Sequence, residues 1–140
     1  MDRSRIILIA DDNRTDASLL SFALHEAGFE FPIRWLKDGE TLLRYLRRGE
    51  TARTLPLLVL IDWNMPRSKP REILQWIRSQ PQYLNLLIAV LTGSTDPLER
   101  TRALDGGANW HLVKSADFSD VAKLVDRIQQ FWLCPKGIAA

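Results

Sequence analysis

Leu57-Leu58-Val59-Leu60-Ile61-Asp62-Trp63-Asn64-Met65-Pro66 is the stretch on which the fold turns. Leu57 to Ile61 is the most hydrophobic run in the chain, and it stops abruptly at an acid. A strand with one wet face would alternate apolar and polar residues. A continuous apolar run needs cover on both faces, as a central strand of a parallel sheet has. Asp62 would then stand at the carboxyl end of that strand. The loop from Asp62 to Lys69 leads to Pro70, which suits the first turn of a helix carrying Ile73, Leu74 and Ile77.

Working outward, the same β-then-α alternation repeats. Ile6 to Ala10 reads as a buried strand ending on Asp11-Asp12. Thr15 to Ala27 places Leu19, Leu20, Ala23, Leu24 and Ala27 at helical spacing, and Gly28 ends it. Ile33 to Leu36 is a second strand, followed by Asp38-Gly39 and a helix through Leu42, Leu43, Tyr45 and Leu46; Gly49 to Pro56 is a loop. A fourth strand spans Leu86 to Leu91. Ser94 or Thr95 would cap the next helix, with Pro97 in its first turn and Gly106-Gly107 at its end. Trp110 to Val113 is a fifth strand, and Ser119 would cap a last helix with Val121, Leu124, Val125 and Ile128 on one face. Five such units make an α/β fold, a doubly wound five-stranded parallel sheet with helices on both sides.

The bulk properties fit one domain of 140 residues, with 46% hydrophobic and 26% charged residues. A net charge of +2 does not point to nucleic acid. Arg44, Arg47 and Arg48, with Arg53 nearby, read as the solvated side of a helix rather than a phosphate-backbone patch. The lone Cys134 has no partner for an internal disulfide, and no Cys/His set has zinc spacing. The first apolar run is too short for a signal peptide or a membrane span, so a cytoplasmic location is expected. No linker to an output domain is expected either. His25 reads as exposed, and Trp35, Trp76 and Trp110 as packing residues; Trp63 would lie near the site.

In an open parallel sheet the ligand site lies beyond the carboxyl ends of the strands. Asp11 and Asp12 follow the first strand, Asp62 the third, Thr92 the fourth and Lys114 the fifth. Converging carboxylates repel one another unless a cation sits between them, and hard oxygen ligands at a phosphoryl-transfer site suit Mg²⁺. Asp62 would be the nucleophile, forming an aspartyl phosphate. Lys114 would pair with one phosphoryl oxygen, and the Thr92 hydroxyl would donate to another. Each of these residues alone has a bland reading: acids at strand ends often merely cap the next helix. All five on one sheet edge is a coincidence that chance rarely supplies.

The chain resembles the receiver domain of bacterial response regulators from about Arg5 to Leu133. The motifs that carry the resemblance are Ile9-Ala10-Asp11-Asp12, Leu60 to Pro66, Val90-Leu91-Thr92-Gly93, Gly107-Ala108-Asn109 and His111-Leu112-Val113-Lys114. It implies a flavodoxin-like (βα)5 fold with strand order 2-1-3-4-5, one receiver domain over 1–140 with a short tail from 134. It also implies that Asp12, Asp62 and the Asn64 backbone carbonyl ligate Mg²⁺, with Asp11 acting through water. His111 would take the place of the family's switch aromatic. A sensor histidine kinase would be the phosphodonor, and the protein would be a signalling element rather than an enzyme. Two departures stand out. Lys69-Pro70 replaces the usual Asp-Gly, and Ser115 follows Lys114 where the family usually has proline with a cis bond. Lys114 to Asp117 and the ending Phe131-Trp132-Leu133 are similar to the small regulators paired with phytochromes. Phe131 and Trp132 extend the apolar stripe of the last helix beyond the sheet and Leu133 widens it; this turn either folds back onto its own domain or meets a partner, and the resemblance to these regulators favours a homodimer.

Two other phosphate-handling classes fit less well. A phosphatase of the haloacid-dehalogenase type needs an acid two residues after the nucleophile, where this chain has Asn64. A flavodoxin needs a hydroxyl- and glycine-rich phosphate loop after the first strand, where Asp11-Asp12 would repel phosphate. A receiver-shaped interaction module that works without phosphorylation stays open.

Overall fold

In the computed structural model the described residues are 6–48, 56–65, 67–93, 96–114 and 118–133, the last three by backbone alone. Five strands alternate with five helices: β1 (Ile7–Ala10), α1 (Arg14–Glu26), β2 (Ile33–Leu36), α2 (Gly39–Arg48), β3 (Leu58–Asp62), α3 (Pro70–Ser79), β4 (Leu87–Thr92), α4 (Pro97–Asp105), β5 (Trp110–Val113) and α5 (Asp120–Leu133). A 3-10 turn at Pro81–Tyr83, not foreseen in the sequence, leads into β4. All neighbouring strands are parallel, in the order β2-β1-β3-β4-β5.

Strand periodicity divides the core into two layers. Ile7, Ile9, Leu58, Leu60, Ala89, Leu91 and Leu112 face α1 and α5, where Leu20, Leu24, Val121, Leu124 and Ile128 cover them. Leu8, Ala10, Val59, Ile61, Ile88 and Val90 face the other way, onto Leu42, Leu46, Ile73, Leu74, Ile77 and Ala103 of α2, α3 and α4. Both faces of β3 are therefore dry, which is why its sequence never alternates. Truncating a fully buried leucine such as Leu60 to alanine would cost about 2–5 kcal/mol.

Helix ends follow local chemistry. Asn13 caps α1 through its side chain, which accepts the Asp16 N–H at 3.0 Å. Gly28, at φ 94°, closes α1 with paired bonds from its own N–H to His25 and from the Phe29 N–H to Leu24. Gly107, at φ 116°, closes α4 in the same way. The α4 N-cap corrects the sequence reading. It is Asp96, whose carboxylate accepts the Leu98 N–H at 3.0 Å, rather than Ser94 or Thr95. Pro97 occupies the first helical position, so the capping residue must be the one just before it.

The edge of the sheet opposite the strand carboxyl ends is held by Arg78. Its guanidinium donates to the carbonyls of Gly107, Tyr83 and Leu86 and to Asn109 Oδ1, all within 3.0 Å. This joins α3, the 3-10 turn and the α4–β5 connection. Tyr83 adds a hydroxyl bond to the Leu46 carbonyl. Two packing expectations do not hold. Leu19 and Trp35 are exposed, Leu19 because it sits at the margin of the α1 stripe and Trp35 because β2 is an edge strand. The Lys114–Ser115 junction, Cys134 and the side chains of Phe131, Trp132 and Leu133 lie outside the described residues.

Candidate functional site

Because every strand runs the same way, the carboxyl ends of β1, β3, β4 and β5 meet at one edge. Asp11 leaves β1 with its N–H still bonded to the Leu36 carbonyl at 3.1 Å. Its Oδ1 accepts the Asn13 N–H at 2.9 Å, and its Oδ2 accepts from Lys114 Nζ at 2.8 Å. Asp62, the last residue of β3, accepts the Asn64 N–H on Oδ1 at 3.0 Å and stands 3.2 Å from Lys114 Nζ through Oδ2. Asp11 is 0% and Asp62 3% exposed, whereas Asp12 faces solvent. The ends of the strands are tied together by Trp63 N–H to Leu91 O (2.8 Å) and Lys114 N–H to Thr92 O (2.6 Å).

The three carboxylates lie close enough together to hold a cation between them. One oxygen from each of Asp11, Asp12 and Asp62 lies within 4.8 Å of the others. Ligands of an octahedral Mg²⁺, at about 2.1 Å from the ion, are at most about 4.2 Å apart. The observed spacing exceeds that limit by at most about 0.6 Å. The donor set therefore fits a divalent cation of the Mg²⁺ type.

Electrostatics follow from burial and pairing. Burial pushes the Asp11 carboxyl above its ordinary value, the Asp62 charge adds to this, and the hydrogen bonds from Lys114 and Asn13 only partly oppose it. Burial also works against the Lys114 ammonium, but hydrogen bonds to Asp11 and Asp16 and the field of Asp62 outweigh it and hold Lys114 firmly protonated. Thr92 is fully buried, and its hydroxyl lies 2.9 Å from His111 Nε2. Burial and then the Arg100 charge hold the His111 imidazole below its ordinary value, so it is neutral near pH 7.

Asp11, Asp62 and Lys114 thus converge directly, Asp12 completes the acid cage, and Thr92 with His111 forms a second pair. Asn64 lies two residues beyond Asp62 in the loop that caps it. Two residues were not anticipated at the site. Asp16, in the first turn of α1, places Oδ2 3.1 Å from Lys114 Nζ. Trp35 donates its indole N–H to the Asp11 carbonyl at 2.7 Å, with Arg14 5.9 Å above its ring, and so orients the Asp11–Asp12 peptide. Neither occupies a strand end; the one available signal for Asp16 was its place one helical turn beyond Asp12.

Comparisons with known proteins bear on the same region. The family model for the response regulator receiver domain matches residues 7–126. The probable methanogenesis regulatory protein FilR2 of Methanothrix harundinacea is 36% identical over 91% of this chain and 83% of its own length. A structure of the phosphorylated cyanobacterial phytochrome response regulator RcpA superposes with a TM-score of 0.75 at 29% identity, covering 92% of this chain and 94% of that one. The response regulator Rcp1 of Synechocystis is 29% identical over 92% of this chain and 89% of its own length. A structure of its Mn²⁺-bound form superposes with a TM-score of 0.72, covering 92% of this chain and 94% of that one.

Proposed function

This chain belongs to the response regulator receiver family, and we propose that it is a phosphorylatable receiver of two-component signalling in which Asp62 accepts the phosphoryl group. The observation that carries this reading is the position of Asp62. It ends the central strand, is nearly buried, and has Lys114 on one oxygen and the acid pair Asp11-Asp12 within cation-sharing distance. An Asp62 carboxylate oxygen forms the new bond to phosphorus as the phosphorus–nitrogen bond of a phosphohistidine breaks. The departing imidazole nitrogen keeps the electron pair and takes up a proton. Lys114 supplies a compact positive charge to a phosphoryl oxygen, and the Thr92 hydroxyl donates to another.

Asp12, Asp62 and the Asn64 carbonyl would hold Mg²⁺ directly, with Asp11 holding it through water. When bound, Mg²⁺ neutralises charge on the phosphoryl oxygens. Thr92 would give up His111 to reach the phosphoryl group, and His111 would then reorient. That change would pass the state of the site to the face formed by α4, β5 and α5.

Residues 1–140 act, in this reading, as one receiver domain that signals through protein contacts rather than by turning over a substrate. The donor is a sensor histidine kinase, and the relatives RcpA and Rcp1 make a phytochrome kinase the first to try. A cytoplasmic site of action fits, because the donor histidine is charged from ATP. Among the described residues no helix is long and apolar enough to cross a membrane. The last turn of α5, which reaches Leu133, would build a homodimer interface. The test is to incubate the protein with candidate histidine kinases and ATP and compare transfer rates. A cognate kinase should transfer at least about tenfold faster than unrelated ones, a difference of about 1.4 kcal/mol in barrier. Uniformly absent transfer would favour a module that works without phosphorylation.

A further inference from the structure

Lys114 is held by more carboxylates than a phosphoryl site requires. An ammonium has three N–H donors. Two of them bond to Asp11 Oδ2 at 2.8 Å and Asp16 Oδ2 at 3.1 Å, and the ammonium also ion-pairs with Asp62 Oδ2 at 3.2 Å. Asp11 and Asp62 belong to the cation cage, but Asp16 does not. It is fixed from a different direction. Its own N–H donates to Asn13 Oδ1, and the next residue, Ala17, is packed into the core of α1. These contacts fix the Asp16 backbone at the start of that helix, within reach of Lys114.

We propose that Asp16 is a positioning residue that competes with the phosphoryl group for Lys114, biasing the site toward its unphosphorylated state. The inference rests on the reading that Asp62 is phosphorylated. A phosphoryl group on Asp62 presents new oxygens to Lys114, two of whose three donors are already held by Asp11 and Asp16. Turning more than one donor to the new group means releasing one of these carboxylates. Asp16 also carries a like charge, which repels the phosphoryl oxygens. Its side chain is 33% exposed, so water screens both effects and keeps them modest.

Competition of this kind moves two ligands in opposite directions. Without the Asp16 charge, the site attracts Mg²⁺ less. Lys114 is also free to lean harder on Asp11 and Asp62, which further opposes the cation. A phosphoryl group, by contrast, gains an unengaged donor and loses a repulsive neighbour. A residue that merely supported the loop would weaken both ligands together.

The experiment compares wild type, Asp16→Asn and Asp16→Glu. Mg²⁺ affinity is measured by calorimetry. Beryllofluoride, a phosphoryl mimic, is then titrated at saturating Mg²⁺ and followed by backbone amide shifts. Asp16→Asn should raise the Mg²⁺ Kd about 2–5-fold and lower the half-saturating beryllofluoride concentration about 3–10-fold. Asp16→Glu, which keeps the charge, should stay within about 2-fold of wild type for both. Shifts in the same direction, no shift in either ligand, or an Asp16→Glu variant as displaced as Asp16→Asn would each overturn the inference while leaving the receiver reading intact. A wild-type protein that fails to bind beryllofluoride at all would overturn the receiver reading, and this inference with it.

Discussion

Replacing Lys114 with methionine tests how the site is held together. Methionine keeps most of the lysine stem, so little cavity forms and the change isolates the charge. It leaves Asp11 and Asp62, 0% and 3% exposed, facing one another without their shared cation. Removing one partner of a buried ion pair costs about 3–5 kcal/mol. Here Asp11 can take up a proton instead of staying charged, and Asp12 opens the site to water, so about 2–3 kcal/mol is expected near pH 7. That is a large share of the roughly 5–15 kcal/mol of a typical domain.

The pH dependence of this loss has a definite sign. Burial already holds the Asp11 carboxyl above its ordinary value, and losing the ammonium pushes it higher. A carboxyl raised in the folded state adds stability below its unfolded pKa, about 3.9, and loses it as pH climbs through the folded value. Wild type shares this loss until its own Asp11 carboxyl ionises and the variant carries it further, so the gap between wild type and Lys114→Met should open as pH rises past the wild-type folded value and narrow toward acid. Urea unfolding in chelator, near pH 7 and near pH 5, measures it. Added Mg²⁺ should stabilise the variant more than wild type, because the cation replaces the lost charge. A variant as stable as wild type near pH 7, or a gap that widens on acidification, would refute the reasoning.

Four further outcomes are expected. Asp12→Ala should weaken Mg²⁺ binding at least about 10-fold by calorimetry if Asp12 is the direct charged ligand proposed, and wild-type affinity would contradict the ligand assignment. His111 should titrate below 6.5 by NMR; the unfolded chain then binds more protons just below that pH, so folding loses stability on acidification through this range. On phosphorylation the amides across residues 92–114 should shift as Thr92 leaves His111, and an unresponsive segment would count against the switch. Light scattering should find a dimer for the full chain and a folded monomer after truncation at Gln130; a full-length monomer at high micromolar concentration would end the dimer proposal.

Much of this molecule is written in its sequence, and the reasons differ by element. Leu58 to Ile61 and Leu87 to Leu91 were legible because strands buried on both faces cannot hide their apolar character. Gly28 and Gly107 were legible because both must take positive φ to close a helix. Asp11, Asp12, Asp62, Thr92 and Lys114 were legible because a parallel sheet sends its strand ends to one edge. Ser94 and Thr95 misled because several capping residues stand in a row and only the position of Pro97 decides among them. Trp35 misled because aromatic character does not say which face of an edge strand a ring takes, and its indole bond to Asp11 crosses between two adjacent parallel strands, 24 residues apart in sequence. Asp16 escaped notice because its role depends on the reach of Lys114, nearly a hundred residues away in sequence.

The claim that Asp62 carries the phosphoryl group is tested most directly by intact mass. Wild-type protein incubated with a small-molecule phosphodonor and Mg²⁺ should gain one phosphate, and Asp62→Asn under the same conditions should gain none. An Asp62→Asn protein labelled to the same extent as wild type would contradict the account.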